Sequence, residues 1–552
     1  MVDDVREIRL PKIGHFWFDA GLIGFYELAC IENPEKSDVQ ISLDDEGVTI
    51  RGREGDLSAF LNQVYSTLLQ RYYNTSSEKQ EEEKAGFYYD SKQEKFVRFA
   101  KVKTRGIAHL IFNKAPRPTK DQIKYVKNAE KGTLPTDYAH IQERLDRFLA
   151  ETNLKISGTS LLLDGPNAYQ PKVTIPIKEG KIKGNCFLCG NPSHALTDIG
   201  STTFPMISGS SGALTFNPGC GGAAKVCWKC DYIGKFVPVS GFYVTDGDIN
   251  HIYFPYSASL QKMHEIFGSF ESMKIRDPNY LRNFNPELGG YFQKPYEQLI
   301  SFLYSVYRRV LSTAEDTLEG DVTLDYDRMY DLILSRAPIE IFVLYTEALG
   351  ETQMGKMIWP FKDSVYMFRL FEHMETHDIP LKQMMQILID FDQKNDENKT
   401  LMRNRICERI LRQQSVVDLI EQHIFRINAS KIKYIKPVHD FVIEYEKILI
   451  QESDPMKQEL IDTAVSLGKT IGMNLGPQGK KGKGDLFRLR KARKPEDFLN
   501  EVNRIQMKYG ALVTADLYQN GEAMEQNFSK FKQFCMIAAL NTYNGMNRSE
   551  KE

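Results

Sequence analysis

Apolar and polar residues alternate along 38–53. Val39, Ile41 and Leu43, then Val48 and Ile50, fall on one face, and Asp44-Asp-Glu-Gly47 interrupts them. A period of two broken by a glycine-containing turn predicts a β-hairpin. The period then lengthens. Leu57, Phe60, Leu61, Val64, Tyr65, Leu68 and Leu69 recur at helical spacing and predict an amphipathic helix. The acidic run SSEKQEEEK at 76–84 has no apolar face and reads as an exposed linker.

Residues 155–260 are rich in Gly, Ser, Thr and Pro, with short β-like runs at 173–177 and 236–244. From about 295 onward helical spacing dominates. Met402, Ile406 and Ile410, continued by Val417, Ile420 and Ile424, mark one helix. Val438, Phe441, Val442, Tyr445, Ile448 and Leu449 mark another, between Pro437 and Pro455. Pro495, Glu496 and Asp497 open a third, striped by Phe498, Leu499, Val502 and Ile505. Phe528, Phe531, Cys535 and Ala538 define the last. The expected fold class is α+β: a mixed N-terminal region with an inserted loop-rich metal lobe, then an antiparallel helical bundle. The expected divisions are 1–180 (α+β with a basic face), 181–260 (cysteine lobe), 261–395 (mostly helical continuation) and 396–552 (helical bundle).

Composition narrows the function classes. The 552 residues are 42% apolar and 26% charged, enough to bury large cores. No run of about 18 apolar residues predicts a membrane span, and the acidic N-terminus lacks the apolar stretch of a secretion signal. Lys and Arg number 71 against 73 Asp and Glu, a net charge of -2. Local charge is less even. Between Lys95 and Lys131 eleven Lys/Arg face only Asp121 and Glu130, with Phe96, Phe99, Phe112 and Tyr125 interleaved. Lys120, Lys124 and Lys127 in this stretch are candidate phosphate contacts.

Five of the eight cysteines fall between 186 and 230. A disulfide scaffold would be smaller and denser in cysteine, so the chain reads as intracellular, where clustered thiols bind metal. Cys186-Phe-Leu-Cys189 and Cys227-Trp-Lys-Cys230 form two Cys-x-x-Cys knuckles, each able to present two thiolates to one ion. Together they predict a closed structural Zn2+ site, with Gly184 and Gly190 suiting the turns. A closed four-thiolate site leaves no position for a reactive water. His194 and Cys220 read as loop or packing residues, and an iron–sulfur cluster or a redox dithiol is the competing use of the four thiols. Between the knuckles, the glycine-rich 209–225 places Asn217, Gly219, Gly221 and Lys225 where backbone and side chains could meet nucleic acid.

A second basic segment, 480–494, carries Lys480, Lys481, Lys483, Arg488, Arg490, Lys491, Arg493 and Lys494 against one acid, Asp485. Its Gly/Lys half reads as mobile and its Leu486-Phe-Arg-Leu-Arg half as anchored, with Arg488 and Arg490 projecting toward a phosphate backbone. Neither glycine-rich segment ends as a nucleotide-binding P-loop does. His15 and Asp19, four apart, read as part of a packing segment. No hydrolase, protease or paired-carboxylate motif is present, which predicts a binding protein without catalytic residues.

The combination of Gly14-His-Phe-Trp-Phe-Asp-Ala-Gly, two separated Cys-x-x-Cys knuckles and LFRLRKARKPEDF within a helical C-terminus resembles one family: the CXXC-CXXC large subunit of type I-B (or I-A) CRISPR Cascade interference complexes. The resemblance implies a non-catalytic, cytoplasmic, prokaryotic subunit acting in antiviral defence. Its implied partners are the Cascade subunits that carry CRISPR RNA, including the backbone, 5′-handle-binding and small subunits. Target double-stranded DNA, its displaced strand and a transiently recruited helicase-nuclease complete the set. It implies recognition of the protospacer-adjacent motif, help with strand separation and R-loop stabilisation, and likeness of the C-terminal helices to a Cascade small subunit, for which Met402 is a candidate internal start. A stand-alone zinc-ribbon nucleic-acid-binding or regulatory protein is the alternative, and a metal-dependent enzyme a third.

Overall fold

The expected hairpin forms and gains a third strand. In the computed structural model of the chain, β1 (Val5–Pro11), β2 (Gln40–Asp44) and β3 (Gly47–Arg53) make an antiparallel sheet in the order β1-β3-β2. Ile8 lies opposite Ile50 and Leu10 opposite Val48, and all four are buried. The structure describes residues 5–32, 38–69, 72, 85–100, 124–127, 132–155, 160–164, 175–177, 180–199, 224–246, 249–268, 288, 292, 294–317, 339–349, 352–429, 432–450, 455–510 and 521–548. The chain divides into two compact units, 1–284 with 323–362, and 285–322 with 363–552.

In the first unit, α1 (Phe16–Glu32) is buried nearly all round, as an apolar helix with no polar face must be. Phe16 stacks on Phe342 at 4.2 Å, and Trp17 meets Phe254 at 5.6 Å. The helix expected after the hairpin is α2 (Glu54–Leu68). His15 and Asp19 meet through the backbone, Asp19 N–H donating to His15 O at 3.0 Å. Both cap the entry to α1: Ile13 N–H donates to Asp19 Oδ1 at 3.0 Å, and Trp17 N–H to His15 Nδ1 at 3.2 Å.

Asp19 is only 1% exposed, and burial pushes its carboxyl up to about 6. An unfolded aspartate releases its proton near pH 4. Between those values the folded chain binds more proton, so stability rises as pH falls. Relative to Asp19→Asn, the wild type should gain up to about 3 kcal/mol between pH 8 and pH 4. Denaturant titrations of both proteins at the two pH values check this; parallel behaviour would contradict it.

A second sheet, of four strands, holds β4 (Ala85–Asp90), β5 (Lys95–Ala100), β6 (Lys124–Lys127) and β7 (Ser160–Leu163) in the order β5-β4-β7-β6. With α3 (Gln142–Thr152) it encloses its own core around Tyr89, Val126, Leu145 and Leu161. Phe96 belongs to that core, against Tyr89 at 5.1 Å and Phe148 at 5.5 Å.

The cysteine lobe follows, with two short hairpins. The first is β8 (Gly184–Asn185) with β9 (Pro192–Ser193); the second is β10 (Leu196–Asp198) with β11 (Lys225–Cys227), which leads into α4 (Trp228–Gly234). The run expected as strand at 236–244 opens instead with a 3₁₀ turn at Val237–Val239, where Pro238 has no N–H for a ladder. Of the run at 173–177, only 175–177 is described, and it is not strand. The strand β12 (Phe242–Asp246) begins a four-stranded antiparallel sheet, continued by β13 (Ile249–Tyr256), β14 (Glu340–Leu349) and β15 (Thr352–Phe361). The helix α5 (Leu260–Gly268) follows β13. The β14–β15 hairpin interrupts the region expected to be helical. Ile341, Phe342, Val343 and Leu344 are a continuous apolar run, which shows no period.

The second unit is helical: α6 (Pro295–Thr317), α7 (Ser364–Thr376), α8 (Leu381–Ile387), α9 (Leu401–Leu411), α10 (Val417–Ile427), α11 (Lys436–Ile450), α12 (Pro455–Leu475), α13 (Gly479–Arg490), α14 (Pro495–Tyr509) and α15 (Phe528–Arg548). The single helix expected over 402–424 is two, α9 and α10, separated where Gln413 takes φ 54°. Gly468 and Gly472 let α12 lie against α15: a β-carbon there would stand 2.2 Å from the Cys535 carbonyl oxygen and 2.6 Å from that of Ala539. Among the described residues, no helix is long and apolar enough to cross a membrane.

Candidate metal centre and basic helix

Cys186 and Cys189 sit on the turn of the first hairpin. Gly190 N–H donates to the Cys186 carbonyl at 2.9 Å and Cys186 N–H to Asn191 O at 2.8 Å. Gly190 closes the turn at φ 72°, a left-handed conformation that strains other residues. Cys227 ends β11 and Cys230 lies in the first turn of α4. The two knuckles meet because Phe187 N–H donates to Lys225 O at 2.9 Å and Cys227 N–H to Cys186 Sγ at 3.2 Å.

The result is four sulfurs all within 4.8 Å of one another, with Cys189 and Cys227 at 3.9 Å. Four thiolates around one zinc, with zinc–sulfur distances of about 2.3 Å, would stand about 3.8 Å apart. These four cysteines could therefore hold a metal ion such as zinc. The S–H groups of Cys189, Cys227 and Cys230 favour a thiolate on Cys186 and push its pKa far down. Cys186 raises that of Cys189, but Cys227 and Cys230 outweigh it and bring it to about 6. Cys227 and Cys230 are pushed up, because Cys186 and Cys189 already carry the negative charge. Without a cation, the cluster resists full ionisation.

The lobe is built into the main core of its unit. Cys186, Cys227 and Cys230 are buried in the same cluster as Trp17, Leu22 and Tyr232. Gly21 and Gly24 on α1 make this possible. A β-carbon on Gly21 would lie 2.5 Å from the Ile233 carbonyl oxygen, and one on Gly24 equally close to that of Phe236. Tyr232 Oη donates to Leu61 O at 2.8 Å, Ser240 Oγ to Ala20 O at 2.7 Å and Lys229 Nζ to Arg9 O at 2.9 Å. His194 stands outside the sulfur cluster, its Nε2 3.1 Å from Pro176 O. Lys225 is exposed at the start of β11. Asn217, Gly219, Cys220 and Gly221 lie outside the described residues, as does Lys120; Lys124 and Lys127 are described only as backbone of β6.

The segment expected to be mobile at 480–485 is instead part of the helix α13. Leu486 and Leu489 are buried beneath it, Tyr543 Oη donates to the Gly479 carbonyl at 2.8 Å, and Lys483 Nζ donates to Asn428 O at 2.7 Å. Nor does Arg490 project. It grips Glu421 through Nε at 2.6 Å and a second nitrogen at 3.1 Å, and lies over the Phe425 ring at 4.5 Å. Arg488 is exposed and paired with Glu501 at 2.8 Å. Lys480, Lys481, Lys491, Arg493 and Lys494 are exposed.

Asp485, the one acid of the segment, is a buried junction. It accepts from Tyr509 Oη at 2.6 Å, Arg504 at 2.8 Å and Lys508 at 2.9 Å. Burial would raise its pKa, but these three donors hold it well below the usual carboxylate range. It ties α14 to α13. No family model matches the chain, and no curated protein matches its sequence.

Proposed function

We propose that this protein is the non-catalytic large subunit of an RNA-guided CRISPR surveillance complex. In this reading it recognises the protospacer-adjacent motif on duplex DNA, assists strand separation, stabilises the R-loop and helps recruit the helicase-nuclease. The zinc held by Cys186, Cys189, Cys227 and Cys230 is structural and braces the lobe against α1. The observation that carries the reading is the exposure of two groups of cations in the helical unit, Lys480 and Lys481 at the start of α13 and Lys491, Arg493 and Lys494 past its end. Such exposed cations suit a phosphate backbone, whose binding needs no base contact. Base pairing by the guide would read sequence, while the protein reads the short motif and the backbone.

Two measurements test it. The tagged chain, purified from its own cells, should bring down a CRISPR RNA and repeated backbone subunits; its recovery alone on DNA would favour the stand-alone zinc-ribbon reading. Replacing Lys480, Lys481, Lys491, Arg493 and Lys494 by Gln should weaken target-DNA binding across sequences. It should also flatten the salt dependence, by about 0.9 in the log–log slope for each duplex phosphate no longer neutralised. Weakening restricted to one adjacent motif would make the segment a base reader instead.

A further inference from the structure

The helical unit carries a second cluster of metal-ligand type. His373, in the last turn of α7, and His377, at its C-terminal cap, are four residues apart, and Glu444 faces them from α11. One oxygen of Glu444, Oε2, lies 3.3 Å from His373 Nε2 and 3.9 Å from His377 Nε2. The two imidazoles stack at 4.0 Å with planes 26° apart. One ligand atom from each of the three residues lies within 4.8 Å of the others. Two ligands of a single four-coordinate ion, at metal–ligand distances of about 2.0–2.2 Å, stand about 3.4 Å apart.

A backbone carbonyl fixes the tautomer of His377. Its Nδ1 lies 2.7 Å from the His373 carbonyl oxygen, which can only accept. Nδ1 therefore carries the proton, and in the neutral ring Nε2 presents its lone pair toward the carboxylate. A metal-ligating histidine is oriented in this way, with its second nitrogen donating to a backbone carbonyl. A lone pair facing a carboxylate oxygen calls for a cation between them, either a metal ion or a proton on the ring. The other oxygen of Glu444 has Lys447 Nζ at 3.8 Å, and Lys447 also reaches Asp462 at 3.0 Å, so this lysine is shared.

We infer that His373, His377 and Glu444 form a site for a borderline divalent transition ion of the zinc or nickel class, joining the end of α7 to α11. Imidazole nitrogen with one carboxylate suits these ions better than magnesium or calcium. Histidines four apart on one helix face can converge on a single ion, as in other helical metal sites. Three protein ligands leave a coordination position open, and the His377 side chain is 47% exposed, so the ion can enter from solvent. This site is independent of the four cysteines and of the proposed role in DNA surveillance.

Equilibrium dialysis of the full chain against Zn2+, followed by elemental analysis, reads the stoichiometry. The wild type should hold two ions and His373→Gln/His377→Gln one. Glu444→Gln should bind the second ion weaker by about tenfold or more, since removing even a residue that only orients a metal ligand has that effect. Added Ni2+ should raise the melting temperature of wild type that carries only the cysteine-held zinc and leave that of the double-histidine variant unchanged, with far-UV circular dichroism confirming that the variant folds. A wild type that binds only the cysteine-held ion, or a double variant that still binds two, overturns the proposal. Either result reduces the cluster to a hydrogen-bonded histidine–glutamate pair.

Discussion

Cys186→Ser should lower the bound zinc by one ion per chain and loosen 184–199 and 224–234, while the helical unit keeps its fold. Cys186 is one of the four clustered sulfurs, and it also accepts the Cys227 N–H that joins the two knuckles. The substitution removes both a ligand and the hydrogen bond that brings the hairpins together. Structural zinc in small domains contributes apparent binding energies of about 10–16 kcal/mol, far more than the two short hairpins supply by themselves. The lobe is continuous with the core around α1, so the damage should spread to that helix. Elemental analysis gives the zinc content, and hydrogen exchange maps the loosened segment. A variant that binds as much zinc as the wild type and keeps native protection over 184–199 would refute the four-thiolate site.

Arg403→Met destabilises the helical unit by about 3–5 kcal/mol. Arg403 and Glu297 are almost fully enclosed, with side-chain exposures of 1% and 0%, and Arg403 Nε donates to Glu297 Oε2 at 2.6 Å. The guanidinium also donates to Met385 O at 3.2 Å and lies over the Phe292 ring at 4.7 Å. Removing the cation leaves a buried carboxylate without its countercharge, which is the costly half of breaking such a pair. The double variant Arg403→Met/Glu297→Leu should recover most of the stability, because neither residue then carries a charge. Denaturant unfolding of the three variants closes the cycle; a double variant as unstable as the single one would show that packing, not charge, dominates. A chain beginning at Met402 would retain Arg403 but lack Glu297.

The cysteine knuckles and most of the helices were legible because their signals are local. Two Cys-x-x-Cys pairs state their chemistry at a spacing of three, and the stripes in α2, α11, α14 and α15 follow one helical period. The break at Gln413 was not legible, since the apolar stripe of α9 resumes in α10 almost in phase. The β14–β15 hairpin was hidden for another reason: its first strand is apolar without interruption over 341–344, so it shows no alternation. The His373–Glu444 cluster was beyond sequence reading because its third member lies 67 residues further along, on another helix.

The amino-acid sequence by itself determined the mixed α+β class, the four-cysteine cluster and the positive character of 480–494, each through residue types and short spacings. Only the tertiary structure decided that the helix at 295–317 belongs with the C-terminal helices, since that grouping depends on contacts between distant segments. It likewise decided which cations stay outside. Arg490 and Lys483 are turned inward because Glu421 and the carbonyls after α10 stand within their reach, while Lys480, Lys481, Lys491, Arg493 and Lys494 remain on the surface. Charge is written in the sequence, but whether a charge is satisfied within the fold or faces solvent depends on what folding brings beside it.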